Sequence, residues 1–79
     1  MVNRMKDYNK IIGETFAKYR QEKGYSQQYV ADKMGVGKST VHNWEKGKRQ
    51  LYAHQFMDLC DVLGLDASVI AKEIHNACV

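Results

Sequence analysis

The chain has 79 residues, 44% hydrophobic and 27% charged, with a net charge of +3; this length holds one small domain, and the near-average composition excludes a disordered tail. No run of about 18 apolar residues exists to cross a bilayer, and the polar first ten residues lack the apolar stretch of a secretion signal. Charge is uneven: residues 1–49 carry eleven Lys and Arg against five acids, residues 50–79 one Lys against four, so a polyanion would face the first part of the chain.

Residues 1–7 read as an N-terminal tail. Proline is absent, and the six glycines, Gly13, Gly24, Gly35, Gly37, Gly47 and Gly64, do most of the punctuation. Over residues 8–23, Ile12, Phe16 and Tyr19 fall at i, i+4 and i+7 and predict a helix, closed by Lys23 and Gly24. Ser26 suits the N-cap of a second helix over 27–34, with Val30, Ala31 and Met34 facing inward and Gly35 ending it. A third runs from about Lys38 to Lys46 and stops at Gly47. A fourth, over 53–63, carries Phe56, Leu59, Cys60 and Leu63 on one side and ends at Gly64. Asp66 caps a fifth over 67–76, with Ile70 and Ile74 on one face. No segment alternates with period two for long, so the fold class is all-α, with residues 8–65 as the main domain and 66–79 as a C-terminal helix.

Cys60 and Cys78 are too few for a disulfide framework and read as reduced thiols of a cytoplasmic protein, Cys60 on an apolar stripe as a small core hydrophobe. His42, His54 and His75 do not repeat with a cysteine at zinc spacing, so no metal is expected. No nucleophile–base pair or paired carboxylates stand out. Gly35-Val36-Gly37-Lys38 is too short for a phosphate-binding loop. An enzyme, a cofactor and a small-molecule ligand are therefore not expected.

The informative stretch is SQQYVADKMGVGKSTVHNWEKGKR, from Ser26 to Arg49. Counted from Gln27, Ala31 is fifth, Gly35 ninth and Val41 fifteenth. Two steeply crossing helices come closest near the fifth position, which needs a small side chain. The ninth must turn with positive φ, and the fifteenth must be apolar. That is the helix-turn-helix pattern. Along the third helix, Val41 and Trp44 lie within about 60° of one another. Lys38, Ser39, His42, Asn43 and Lys46 fan over the opposite side, where no acid stands.

From Ile12 to Leu65 the chain resembles the lambda-repressor-like family (Cro/repressor, also called the xenobiotic-response-element family). The resemblance is carried by IGETFAKYRQEKGYSQQYVADKMGV, KSTVHNWEKGKR and FMDLCDVLGL. It departs at Gly37, where the family has Ser or Thr, and at Leu51 and Tyr52, where it commonly has Pro and Ser. It implies a compact five-helix domain whose third helix enters the major groove of DNA. On that footing Lys38, Ser39 and Asn43 are base contacts: Lys38 suits guanine O6/N7, Asn43 adenine N6/N7, and Ser39 donates or accepts. Gln27, Lys46, Lys48 and Arg49 are backbone contacts, with His42 either reaching phosphate or simply solvated. Tyr52 either touches the backbone or packs. The resemblance also implies an ion pair between Arg20 and Glu45.

The expected function is a sequence-specific, double-stranded DNA-binding transcription regulator, a phage or mobile-element repressor or a small bacterial controller. It would act in the cytoplasm, on the nucleoid when bound, as a homodimer on a two-fold symmetric operator. The alternative is an antitoxin-like protein-interaction module that also binds DNA. Ile70 and Ile74 are expected either to pack back on the first helix or to meet a second copy.

Overall fold

Glycine residues with positive φ close three of the helical runs, and side-chain or backbone caps open the next. The computed structural model describes residues 4–78, with side chains from residue 8 onward. It has five helices: α1 (Arg4–Lys23), α2 (Gln27–Met34), α3 (Lys38–Glu45), α4 (Ala53–Leu63) and α5 (Ala67–Cys78). The Ser26 hydroxyl accepts from Tyr29 N–H at 3.0 Å and starts α2. Gly35 (φ +71°) then turns the chain, donating to Asp32 O while Val36 donates to Ala31 O. An added Cβ at Gly35 would meet nothing within 4 Å, so the torsion alone calls for glycine. Gln55 Oε1 accepts from Tyr52 N–H at 2.9 Å ahead of α4, and Asp66 Oδ1 accepts from Ser68 N–H at 2.9 Å ahead of α5.

α1 starts four residues before the expected boundary at residue 8. Polarity does not end the helix here, because Arg, Met and Lys are strong helix formers and polar residues extend a helix without an apolar stripe. Residues 1–3 of that tail lie outside the described residues. At the other end α5 runs on to Cys78, past the expected residue 76, and α3 stops at Glu45 with Lys46 as its cap.

Phe16, Val30, Ala31, Val41, Trp44, Leu59, Cys60, Leu63, Ile70 and Ile74 form one buried cluster drawn from all five helices. Ile70 and Ile74 are 2% and 5% exposed. Of the two expected placements, packing back on the first helix is the one the structure shows: neither residue is free to meet a second copy. In so small a domain α1–α4 alone leave the core open, and α5 completes it against α1 and α4. On the outer side of that seam, Glu73 Oε1 accepts from Tyr19 Oη at 2.7 Å and Oε2 from Lys18 Nζ at 2.9 Å. Cys60 is fully buried, and burial pushes its thiol pKa up to about 11, with smaller contributions from Asp61 and Asp66. It is a core hydrophobe rather than a nucleophile. Among the described residues no helix is long and apolar enough to cross a membrane, and no group of three His, Cys, Asp or Glu could hold a metal ion.

Candidate nucleic-acid interface

α3 is eight residues long, and its two faces differ sharply. Val41 and Trp44 are each 2% exposed and anchor it in the core. Lys38, Ser39 and His42 are exposed, Asn43 is half-buried beside them, and Lys46, Lys48 and Arg49 are exposed just beyond the helix. Among the described residues none of Lys38, Lys46, Lys48 and Arg49 is in an ion pair. Four unneutralised cations thus gather along one short helix and its exit.

Gly37 caps α3 with backbone alone: its carbonyl accepts from Thr40 and Val41 N–H, and no side chain caps the helix. Substituting glycine for serine or threonine at an N-cap costs only a few tenths of a kcal/mol. At the far end the Asn43 carbonyl accepts from Lys48 N–H at 2.9 Å and Arg49 N–H at 3.3 Å. One residue therefore sits on the exposed side of α3 and also holds the start of the basic loop.

The one acid of α3, Glu45, is turned away. Its carboxylate is gripped by Arg20 of α1: Nε donates to Oε2 at 2.6 Å and Nη2 to Oε1 at 3.0 Å, with the two side chains 12% and 10% exposed. This is a fork-on-carboxylate arrangement in a largely dry setting. Arg20 Nη1 also donates to the Tyr25 carbonyl at 2.7 Å, tying the α1–α2 turn to the same group. Gln27, proposed from sequence as a backbone contact, is half-buried, and its Nε2 donates to Glu45 Oε1 at 2.9 Å.

Two residues not singled out for this site set the position of α3. Gly13 lies in the middle of α1, against the end of α3. A Cβ there would collide with the Trp44 carbonyl oxygen and come within 2.7 Å of Glu45 O. Gly47 (φ +75°) turns the chain after α3, and a Cβ there would lie 2.9 Å from Lys10 Cα. A glycine inside a helix costs about 1 kcal/mol relative to alanine, and that cost was the available signal that Gly13 marks a close approach. Tyr52, at the start of α4, is 65% exposed and stacks beside His54 at 6.0 Å, on the solvent side rather than in the core.

The family model described as helix-turn-helix matches residues 16–70. The chain is 32% identical over 65 residues to an uncharacterised, SPbeta prophage-derived HTH-type transcriptional regulator, YonR, of Bacillus subtilis, covering 82% of this chain and 60% of that protein. It is 37% identical over 67 residues to the HTH-type transcriptional regulator SinR of Bacillus subtilis, covering 84% of this chain and 60% of SinR. The chain thus spans about three fifths of the length of these relatives. Among solved structures, the restriction-modification controller protein C.AhdI of Aeromonas hydrophila superposes with a TM-score of 0.71 at 27% identity, covering 78% of this chain and 92% of that one.

Proposed function

Because the chain belongs to the helix-turn-helix family, and its relatives bear the names of transcriptional regulators, we propose that it is a sequence-specific double-stranded DNA-binding regulator whose α3 enters the major groove. The observation that carries this reading is the acid-free exposed side of α3, from which Arg20 has withdrawn Glu45. Lys38, Ser39 and Asn43 face base edges. His42, Lys46, Lys48 and Arg49 lie along the phosphates, and Gln27 borders them at the start of α2. Residues 8–65 carry the DNA-binding unit and α5 completes its core.

An eight-residue helix covers only a few base pairs, so the working unit is a homodimer on two half-sites one helical turn apart. A prophage-derived regulator and a restriction-modification controller among the similar proteins support a phage-type repressor or a small controller as the setting, and a DNA target would place it in the cytoplasm, on the nucleoid when bound. Selection from a random DNA pool tests the reading. It should return a two-fold symmetric consensus. A pool that stays random after repeated rounds overturns sequence-specific binding, and a consensus with no internal symmetry overturns the dimer.

A further inference from the structure

Glu45 is held from two sides. Arg20 reaches it from α1 with two N–H groups, and Gln27 reaches it from α2 with a third. Only the nitrogen of an amide can donate to a carboxylate oxygen, so the chemistry of the contact fixes which way the Gln27 side chain is turned. The place of this bond in the fold matters. Gln27 is the first residue of α2 and Glu45 the last of α3, while the turn at 35–37 joins the other two ends. The bond therefore links the open ends of a V whose apex lies at Gly35. Near the apex the wholly buried Ala31 lets the helices approach. Contact at the apex decides where two helices touch, and contact at the mouth decides the angle between them.

We propose that Gln27 is a positioning residue for DNA recognition: through Glu45 it sets the angle between α2 and α3, and with it the presentation of Lys38, Ser39 and Asn43 to the bases. The inference rests on the DNA-binding reading above. An uncharged donor suits the task. The Arg20 guanidinium already balances Glu45, and a second cation would leave surplus charge in a largely dry site, whereas an amide adds direction without charge. Nε2 carries a second hydrogen, so the clamp does not consume the phosphate contact expected of Gln27; it orients the amide before the phosphate arrives.

Gln27→Leu removes the bond, keeps much of the side-chain volume and leaves Arg20–Glu45 in place. The full chain and this variant are titrated with the selected duplex and with single-base mismatches across a salt series. The expected result is a matched-to-mismatched ratio narrowed about tenfold, on top of the uniform, salt-dependent weakening that loss of the phosphate contact gives to both duplexes. In a background carrying Arg20→Met and Glu45→Leu together, which removes both charges at once, the same substitution should narrow the ratio no further. Equal weakening of matched and mismatched duplexes makes Gln27 a plain phosphate contact and overturns the proposal, as does unchanged binding of both. A second arm needs no DNA. In nitrogen-15 NMR the Gln27 side-chain amide should exchange with solvent more slowly than that of exposed Gln21, and an amide exchanging as freely as Gln21 also overturns it. A wild-type chain that selects no sequence overturns the DNA reading itself, which is distinct from a clamp that forms but does not affect discrimination.

Discussion

At the scale of single residues, the proposed function divides the exposed side of α3 into groups that would read bases and groups that would hold phosphates, and substitution separates them. Asn43→Ala should relax base preference by roughly 1–3 kcal/mol of discrimination at one position. Lys48→Ala should weaken all sequences about equally and lower the salt slope by about one. Titrations of matched and mismatched duplexes over a salt series read both, and an unchanged preference in Asn43→Ala would remove α3 from the groove. The exposure of Lys38, Ser39 and His42 was legible because helical periodicity alone sorts exposed from buried positions once Val41 and Trp44 are taken as anchors. The involvement of Gln27 with Glu45 was not legible. Periodicity describes one helix at a time, and this bond crosses from one helix to another. Gly13 was hidden differently: it read as punctuation, while its role is to admit a neighbouring backbone that the sequence does not display.

Among the elements, α5 is the one whose docking the sequence left open. Its existence, its cap at Asp66 and its Ile70–Ile74 stripe were all visible; where the stripe docks was not, because an apolar face fits the domain's own core or a second copy equally well on paper. The structure resolves this with a polar clasp beside the apolar seam. Hydrogen bonds from Tyr19 and then Lys18 hold the Glu73 carboxyl below the usual carboxylate range. A carboxylate whose pKa falls on folding stabilises the fold above its unfolded value, about 4.3, and that contribution disappears as pH drops through the folded value. Glu73→Gln should therefore melt lower than the wild type near pH 7, and the two melting curves should converge in the acid range. The gap will be small, since Lys18 is half exposed and water screens the pair. Thermal melts from pH 7 to pH 3 check this; a gap that widens toward acid would refute the clasp.

For the whole molecule, Ile70 and Ile74 are taken up by the core, so the substitution that would probe a dimer at Ile74 instead probes the fold. Ile74→Asp would place an unpaired carboxylate in the cluster with Phe16 and Leu63. Its cost should be on the order of 3–5 kcal/mol, a large share of the total stability of a domain this size. Loss of helical circular dichroism at room temperature, or a collapse of the melting temperature, is the expected reading. A helical, unshifted variant would mean that α5 is dispensable to the core.

The clasp between α1 and α5 also bears on the order in which the molecule assembles. α2 and α3 are adjacent in sequence, and closing that pair spans only a short loop. Tyr19 and Glu73, by contrast, are 54 residues apart, and drawing such distant points together costs roughly 3–4 kcal/mol of chain entropy before any contact offsets it. Contacts of that separation slow the search for the native state. The α2–α3 pair can therefore take shape early, before the last helix lands on the first.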